Sequence, residues 1–313
     1  MSSAAAPDLL TPLETVVLED AAAGARVVVA PSRGGMVTRF EVHGAPVLFL
    51  DVASLVDETK NVRGGNPVLF PSPGPLAGDR FARQGKSGSM KQHGFARQRA
   101  WAVVGGDAQG GPRTEVTLEL VSDDATRAQY PWDFRTRLRY ALVGTALTVE
   151  TRIENTGSGE GASAAMPFSL GFHPYFHLAD GDKSHASIVT DATRAYDNVT
   201  KKVIDVSGPI VGGAPAPGAR LMRAIDLTAK EVDLHLFDHG GTSATLDRGA
   251  DRIVVSGDTA FGRWVIWTLA GKDFVCLEPW TSGADALNTG EGLLGLAPGE
   301  SVTLTMTVRL ERT

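Results

Sequence analysis

The residues best placed to do chemistry lie at the end of an apolar segment near the C-terminus. Residues 275–277 predict a buried strand, and Glu278 follows them directly. Pro279 cannot donate to a sheet ladder, so we expect strand pairing to stop near Glu278. A carboxylate at this point, beside the aromatic Trp280, is where a protein can raise or hold a pKa for proton transfer.

Two histidine-bearing segments offer the acid that such a base needs. His93 is followed by Gly94, which permits a backbone turn and close approach of a ligand. His173 precedes Pro174, whose ring favours an extended backbone, and Tyr175 follows, which suits the apolar face of a sugar ring. A lone histidine is more often a structural group than a catalyst, so that alternative stays open for both. The set indicates proton transfer on a small polar molecule.

The histidines do not have the spacing of a metal site. The sequence contains seven, but no His-x-x-x-His or Glu-x-x-His pair falls on a plausible helix. His235 and His239 are four residues apart, yet residues 238–241 are typical of a turn. The chain also lacks a glycine loop of the Walker or dinucleotide-binding type. These patterns therefore argue against a metal site, and they give no signal for a nucleotide-binding loop.

Composition narrows the possible partners. The chain has 313 residues, 42% of them hydrophobic, and a formal net charge of −6 from 30 basic and 36 acidic side chains. This balance argues against general binding to nucleic acid or to an anionic membrane. The single Cys276 excludes an intrachain disulfide and fits a reducing compartment, and its apolar neighbours favour a packed thiol over a nucleophile. With no visible signal peptide or membrane span, we expect a cytoplasmic protein.

Alternation of apolar and polar residues with a period of two dominates the chain. Such segments predict half-buried strands; they are residues 26–30, 36–42, 115–121, 134–142, 147–153 and 301–310. Glycine-rich breaks separate them, including 105–106, 110–112, 157–159 and 212–218. Only residues 51–57 and 226–231 suggest short helices. We predict an all-β fold, one large antiparallel β-sandwich spanning residues 1–313, with residues 1–12 as a flexible tail.

A short apolar run at residues 64–74 is bracketed by Gly and Pro, and a strand with tight ends is the favoured interpretation. Arg63 just before it is either a surface charge or a group that binds an anionic or hydroxyl-rich ligand. Arg97 closes the segment that begins at His93, and the same two alternatives stay open for it.

Five of these segments together resemble the aldose 1-epimerase (galactose mutarotase-like) family. They are residues 63–71, 93–97, 173–176, 231–233 and 277–280, which occur in the family's order. The resemblance extends from about residue 16 to about residue 310. It implies a large β-sandwich, often called a supersandwich, with an open cleft for a sugar.

The resemblance also implies roles for individual residues. Glu278 stands at the position of the catalytic base and His173 at that of the general acid. His93 matches a second histidine that hydrogen-bonds the sugar hydroxyls or the ring oxygen. Asp233 is the better match to the acidic residue that holds sugar hydroxyls, with Asp238 as a competitor.

The remaining predicted contacts concern the sugar ring and a possible phosphate. Tyr175 and Trp280 are expected to bind substrate as aromatic walls. Arg63 and Arg97 resemble the arginines that the hexose-6-phosphate branch of the family directs at a phosphate. Two departures leave the branch open: residues 74–76 lack the arginine typical of simple-sugar enzymes, and Pro174 stands where the phosphate branch usually has Thr.

The resemblance predicts an isomerase that interconverts α and β anomers of an aldose by acid–base ring opening, without metal or cofactor. Two alternatives remain: a hexose-6-phosphate 1-epimerase, and a non-catalytic carbohydrate-binding or regulatory protein on the same fold. The expected partner is a small sugar or sugar phosphate, and the expected assembly is a monomer or a homodimer.

Overall fold

The structure is a computed structural model that describes residues 13–57, 59–107, 113–161, 164–207 and 225–312. The predicted tail at residues 1–12 and the glycine-rich breaks at 110–112 and 212–218 lie outside the described residues. A single domain over the whole chain stays a prediction.

The described residues form many short strands, three short α-helices and a few 3-10 turns. In chain order the strands are β1 (Val16–Asp20), β2 (Ala25–Ala30), β3 (Met36–Val42), β4 (Ala45–Pro46), β5 (Val68–Leu69), β6 (Arg80–Arg83), β7 (Lys86–Ser89), β8 (Ala102–Gly106), β9 (Glu115–Val121), β10 (Phe134–Val143), β11 (Ala146–Asn155), β12 (Met166–Phe168), β13 (Gly171–Phe172), β14 (Tyr175–His177), β15 (Ser187–Val189), β16 (Arg194–Asp197), β17 (Lys202–Asp205), β18 (Glu231–Leu236), β19 (Ser243–Asp247), β20 (Asp251–Gly257), β21 (Arg263–Leu269), β22 (Phe274–Trp280), β23 (Leu294–Leu296) and β24 (Ser301–Arg312). The helices are α1 (Val52–Val56), α2 (Asp124–Arg127) and α3 (Ala286–Thr289).

Two eight-stranded sheets dominate the molecule. The back sheet has the order β15-β19-β20-β24-β11-β10-β9-β8. The cleft sheet has the order β17-β16-β18-β21-β22-β13-β5, and β14 also pairs with β22. A four-stranded sheet, β1-β2-β3-β4, and the two-stranded β6-β7 and β12-β23 complete the set. Every ladder between named strands is antiparallel, for example β10 with β11 and β21 with β22, so the predicted all-β class is confirmed.

The period-2 segments became strands because each has one face in the core. The predicted strands at 115–121 and 36–42 are β9 and β3, and those at 134–142 and 301–310 lie within β10 and β24. In β24 the buried residues alternate with more exposed ones. Buried side chains of both large sheets, such as Met306 and Leu277, belong to one hydrophobic cluster. The core of the sandwich therefore lies between the back sheet and the cleft sheet.

The two helix predictions had different outcomes. Helix α1 confirms the prediction at residues 51–57, and the Asp51 side chain caps it by accepting a hydrogen bond of 3.1 Å from the Ala53 N–H. The prediction at 226–231 was wrong, because a turn occupies this segment and β18 begins at Glu231. A local turn accounts for this difference, because the Asp226 carboxylate accepts hydrogen bonds from the Thr228 N–H and hydroxyl at 2.9 and 2.6 Å, which compete with helical hydrogen bonding.

The prediction that pairing stops near Glu278 was also wrong, because β22 continues to Trp280 and its pairing with β21 runs from Cys276 through Glu278 to Trp280. Proline affects only the other edge. There, Thr281 N–H donates to Leu170 O, so odd-numbered residues of β22 direct their N–H groups toward β13 and β14. Pro279 lacks that donor, and Pro174 lacks the matching donor on the opposite segment. The ladder consequently divides into β13 and β14.

Candidate active site

The interruption between β13 and β14 places a histidine beside the carboxylate. Gly171 pairs with Trp280, and Tyr175 pairs with Cys276. The same register places His173 opposite Glu278, midway between these two pairs. Directly opposed residues of an antiparallel pair project from the same face of the sheet. His173 and Glu278 are therefore brought together by strand register, although 105 residues separate them in the sequence.

Further strands extend this register across the cleft sheet. His235 of β18 pairs with Val265 of β21, which pairs with Glu278, and the next row follows the same pattern. Two rows of side chains therefore cross four strands: His235, Val265, Glu278 and His173 in one, and Asp233, Trp267, Cys276 and Tyr175 in the other. Alternation along each strand directs these rows away from the sandwich core.

A cavity of about 740 Å³ lies over these rows. All eight residues predicted for the site line it: Arg63, His93, Arg97, His173, Tyr175, Asp233, Glu278 and Trp280. A cavity of this size is large enough for a small ligand, and its combination of aromatic walls with a few polar groups is typical of binding sites. We call this cavity the cleft.

Glu278 is held by two contacts at the floor of the cleft. Its side chain is 1% exposed, and its Oε2 accepts a hydrogen bond of 3.0 Å from Trp280 Nε1. Its Oε1 lies 3.2 Å from His173 Nδ1. That approach is not directed along a hydrogen bond, so His173 Nδ1 is buried without a hydrogen-bond partner.

Burial sets the charge of this pair. It raises the pKa of the Glu278 carboxyl well above its ordinary value, an effect that the Trp280 hydrogen bond opposes and the Asp233 charge adds to. Burial also lowers the pKa of His173 well below its ordinary value, and the neighbouring His93 and Arg97 act in the same direction. Both shifts favour the uncharged forms, a neutral carboxyl at Glu278 and a neutral imidazole at His173.

Aromatic rings fix the orientation of His173. Its imidazole stacks on the Tyr175 ring with centroids 4.5 Å apart and planes 10° apart. The edge of Trp267 packs against it at 5.9 Å. The ring of His93 approaches it edge-on at 5.4 Å and also contacts Trp280 at 5.9 Å. These contacts leave the His173 imidazole little freedom to rotate.

His93 is a neutral histidine of known tautomer. Its Nδ1 is hydrogen-bonded to the carbonyl oxygen of Pro73, so Nδ1 carries the proton and Nε2 is an acceptor. Burial in the cleft wall, together with the Arg97 charge, lowers the pKa of His93 to about 3. Near neutral pH this residue can accept a hydrogen bond at Nε2 but cannot supply a proton from that atom.

The structure separates the two candidate acidic residues. Asp233 lines the cleft and receives hydrogen-bonding contacts from Asn198 Nδ2 at 2.7 Å and His235 Nε2 at 3.3 Å. Burial alone would raise its pKa, but these contacts outweigh burial and lower it. Asp238 instead binds the backbone N–H groups of Thr193 and Arg194 at 2.9 and 3.0 Å, outside the residues that line the cleft.

The two predicted arginines lie on the β5 side of the cleft. Arg63 is exposed at the cleft wall, just before β5. Arg97 is half-buried and donates to the carbonyl oxygen of Gln92 at 3.2 Å, while its buried Nε has no hydrogen-bond partner. Burial lowers the pKa of Arg97 from its ordinary value, although a guanidinium group stays charged in proteins. This wall therefore offers an unsatisfied cationic donor.

Several residues that line the cleft were not predicted. They are Asn61, Gln92, Tyr196, Asn198, His235, Phe237, Arg263, Trp267 and Glu291. His235 had a usable signal, because it lies two residues after Asp233 on a strand and so shares its face. Arg263, which pairs with Glu291 at 2.8 Å, had none, because it reaches the cleft through the pairing of β21 with β22.

Among the residues that the structure describes, one group of side chains could hold a metal ion. Donor atoms of His173, Cys276 and Glu278 all lie within 4.8 Å of one another, and all three residues are buried. Histidine pairs at helical spacing, the sequence signal for a metal site, do not reveal this set, because strand register brings the histidine to the other two donors.

The chain belongs to the aldose 1-epimerase family, whose model matches residues 15–309. Two curated relatives, from Cenchrus ciliaris and Salmonella typhimurium, are each named "Putative glucose-6-phosphate 1-epimerase". Both are 32% identical to this chain, over 155 and 158 residues, which is 47% and 45% of this chain. The matched region spans about half the length of these relatives, 42% and 47% respectively.

Solved structures share the fold along nearly all of the chain. The Slr1438 protein from Synechocystis sp. PCC 6803 is 35% identical, with a TM-score of 0.85 over 96% of both chains. A galactose mutarotase-like protein from Lactobacillus casei is 22% identical, with a TM-score of 0.71 over 95% of this chain and 100% of that one. The predicted galactose mutarotase-like sandwich is thereby confirmed.

Proposed function

We propose that this protein is an aldose 1-epimerase, an isomerase that interconverts the α and β anomers of a hexose. The observation that carries the proposal is the buried pair of Glu278 and His173, with Oε1 and Nδ1 3.2 Å apart at the floor of a large polar cleft. Ring opening needs one group that removes the proton of the C1 hydroxyl and another that protonates the ring oxygen. A carboxylate and an imidazole on the same face supply both.

The neutral state of the pair fits one side of this reaction. In ring opening, ionised Glu278 takes the C1 hydroxyl proton while protonated His173 gives a proton to the ring oxygen, and the C1–O5 bond breaks. The products are the open aldehyde, a neutral carboxyl and a neutral imidazole. Rotation about C1–C2 and reversal of both transfers close the ring as the other anomer. The pair holds the same number of protons throughout, so turnover needs no exchange with solvent.

Other residues of the cleft would bind and orient the sugar. Asp233 is ionised and can accept hydrogen bonds from hydroxyl groups, and His93 Nε2 can accept another. Tyr175 and Trp280 present aromatic surfaces of the kind that pack against sugar rings. Each proton-transferring group would contribute about 10²- to 10⁴-fold to the rate.

A phosphorylated substrate is the second candidate, and Arg97 favours it. Arg63 and Arg97 lie on one wall of the cleft, and His235 and Asp233 of β18 lie on the other side. The buried Nε of Arg97 has no hydrogen-bond partner. Arginine binds phosphate through several directed hydrogen bonds. The names of the two curated relatives point to the same substrate class. We infer that a hexose 6-phosphate would place its phosphate against this wall.

The setting of the protein is also part of the proposal. Within the residues that the structure describes, no helix has the length and apolar character to span a bilayer. The single cysteine is free and buried, which supports a reducing compartment such as the cytoplasm.

The test compares anomerisation rates of the wild type and Glu278→Gln. Fresh α-D-glucose and α-D-galactose would be followed by polarimetry, and glucose 6-phosphate by a coupled assay. We expect Glu278→Gln to lower the catalysed rate by at least about 10²-fold, whereas Glu160→Gln, which changes an exposed carboxylate, leaves it unchanged. An Arg97→Ala variant that loses activity only toward the phosphate ester would identify the substrate class.

The outcomes separate the alternatives. A wild-type rate no faster than the spontaneous reaction for every sugar would refute epimerase activity toward these substrates and leave a carbohydrate-binding protein as the better explanation. A wild-type rate that survives Glu278→Gln would refute the assignment of Glu278 as the base. Equal losses toward glucose and glucose 6-phosphate in Arg97→Ala would argue against a phosphate-specific wall.

A further inference from the structure

The donor atoms of His173, Cys276 and Glu278 form a cluster of mixed chemistry at the floor of the cleft. An imidazole nitrogen, a thiol sulfur and a carboxylate oxygen are the three side-chain ligands that proteins use for Zn²⁺. Their donor atoms lie within 4.8 Å of one another. Cys276 is fully buried, and Glu278 and His173 are 1% and 7% exposed. The donors are therefore shielded from bulk water, and only His173 and Glu278 line the cleft.

The geometry of the pair fits a tetrahedral ion. Bonds of about 2.0–2.1 Å from Zn²⁺ to nitrogen and oxygen place those two ligand atoms about 3.3 Å apart at the tetrahedral angle. The observed distance between His173 Nδ1 and Glu278 Oε1 is 3.2 Å. A bond of about 2.3 Å from Zn²⁺ to sulfur places the Cys276 Sγ about 3.6 Å from each of the other two donor atoms. Because the donor atoms lie within 4.8 Å of one another, the side chains would have to move by at most about 1 Å to bind the ion.

An independent observation also points to a ligand here. His173 Nδ1 is buried and makes no hydrogen bond, although it faces the carboxylate. A buried polar atom without a partner is costly and calls for an explanation. Stacking on Tyr175 and edge contact with Trp267 prevent the imidazole from turning toward another partner. A cation bound between the three donors would satisfy this nitrogen.

We propose that His173, Cys276 and Glu278 form a binding site for a thiophilic divalent cation such as Zn²⁺. A thiolate and a carboxylate together carry two negative charges, which neutralise a divalent ion in a buried site. The sulfur favours Zn²⁺ and similar soft ions over Mg²⁺ or Ca²⁺, which prefer oxygen ligands. His173 and Glu278 line the cleft, so water or a sugar hydroxyl from the cleft could supply a fourth ligand.

Occupation of the site would inhibit the enzyme. The ion would occupy the Glu278 carboxylate that has to take the C1 hydroxyl proton, and it would fix the charge of the neighbouring His173, so metal and turnover exclude each other. This consequence rests on the proposed epimerase activity, whereas metal binding itself does not. The site is thus inhibitory and is not part of the ring-opening reaction.

The test is a titration of the full-length protein with Co²⁺, in the absence of chelators, oxygen and thiol reductants. Because Cys276 is the single cysteine of the chain, a thiolate-to-cobalt charge-transfer band in the near ultraviolet can arise only from this residue. We expect one Co²⁺ per chain with this band in the wild type and in His43→Gln, which removes an exposed histidine. Cys276→Ser should lose the band.

Zn²⁺ then competes in the same titration. We expect Cys276→Ser and Glu278→Gln to weaken Zn²⁺ binding by more than the about 10- to 100-fold that loss of an outer-shell partner costs. Zn²⁺ should inhibit anomerisation in the wild type, and a higher concentration should be needed in Cys276→Ser, each rate being compared with the same variant's metal-free rate. Circular dichroism establishes that each variant is folded.

Two results would overturn the site. One is the absence of a thiolate band from wild type that is folded and fully reduced. The other is Zn²⁺ binding of unchanged affinity in folded Cys276→Ser. A band without any epimerase activity would retain the metal site and refute the proposed function, so the two hypotheses fail separately.

Discussion

Asp233 and Asp238 are five residues apart, yet they have different environments. Asp233 faces the cleft between Asn198 and His235, whereas the Asp238 carboxylate is occupied by the backbone and side chain of Thr193 and by the Arg194 backbone. Burial opposes ionisation of Asp238, but these hydrogen bonds outweigh it and lower the pKa to about 2. Only Asp233 retains acceptor capacity toward a ligand in the cleft.

This difference predicts that the same substitution, Asp to Asn, affects sugar binding at position 233 and stability at position 238. Asp233→Asn removes a charged acceptor that would bind the sugar before and during ring opening, so KM should rise more than kcat falls. A hydrogen bond to a charged group contributes about 1.5–3 kcal/mol, which corresponds to about 10- to 150-fold in kcat/KM. Steady-state kinetics of anomerisation would measure both parameters.

Asp238→Asn is the matched control. It should leave KM unchanged and lower the free energy of unfolding, because it weakens the bonds that hold residues 193–194. Equal increases in KM in the two variants would contradict the assignment of Asp233 to the sugar.

The sequence predicted the individual proton-transferring residues, but it did not predict most of the residues that surround them in the cleft. Glu278 and His173 stand in segments where Pro, Gly and aromatic residues have local signals. Arg263 and Asn198 have no such signal, since each reaches the cleft only through the pairing of its strand or of an adjacent strand. The cluster of His173, Cys276 and Glu278 could not be predicted from the sequence for the same reason. Its histidine meets the other two donors only through register.

At the scale of secondary-structure elements, two prolines, Pro174 and Pro279, divide the strand opposite β22 into β13 and β14. Pro279 does remove a donor from β22, as expected from the sequence, but it faces β13 and β14 and leaves the β21 ladder intact. Along a strand, odd- and even-numbered residues direct their N–H groups toward opposite neighbouring strands. Which neighbour loses a hydrogen bond at a proline therefore depends on how the strands are paired. The sequence can predict the missing donor, whereas the edge requires the pairing.

The segment that carries His93 depends on a glycine in the left-handed region. Gly94 has a φ of +66°, and a Cβ there would lie 2.2 Å from the carbonyl oxygen of Phe70. The backbone of residues 94–96 contacts that same carbonyl region through N–H groups of Phe95 and Ala96, at 3.1 and 3.2 Å. A side chain at Gly94 would therefore push this segment, and His93 with it, away from β5.

Gly94→Ala should destabilise the protein by about 2–4 kcal/mol, the sum of backbone strain and the clash with Phe70. Gly85→Ala is the control, since Gly85 has a φ of +76° and a Cβ added there would have no neighbouring atom within 4 Å. It should lose only about 1–2 kcal/mol from strain. Urea unfolding would measure both losses. Equal losses would show that the contact with Phe70 does not matter.

On the scale of the whole molecule, period-2 alternation predicted the strands whose outer face meets solvent. Strand β24 is such a case. Strand β22 is buried on both faces, by the sandwich core on one side and by the floor of the cleft on the other, so its sequence lacks the alternation and is mostly apolar. Strand order could not be predicted from the residues, because each ladder of the cleft depends on segments far apart in the chain. The family resemblance implied only the large sandwich and its open cleft, not the order of its strands.

The cleft has a cost for the stability of the whole molecule, because it keeps a carboxyl group buried. The folded pKa of Glu278 lies well above its ordinary value of 4.5, mainly through burial. Between these two pKa values the folded state binds more protons than the unfolded state. The free energy of unfolding therefore falls as pH rises above 4.5, and the contribution of Glu278 is most unfavourable at neutral and higher pH.

Glu278→Gln removes this titration while keeping the shape of the side chain. We expect the variant to be more stable than the wild type at pH 7, by about 0.5–2 kcal/mol, as is common when a functional group is replaced. The gain in the free energy of unfolding should shrink as pH falls toward 4.5. In that range the Glu278 carboxyl of the wild type is neutral in the folded state, as the Gln side chain of the variant always is, and it also becomes increasingly protonated in the unfolded state. Urea unfolding at several pH values would measure it, with Glu160→Gln as an exposed control. A gain that is absent at pH 7, or of equal size at pH 7 and pH 4.5, would contradict the raised pKa of Glu278.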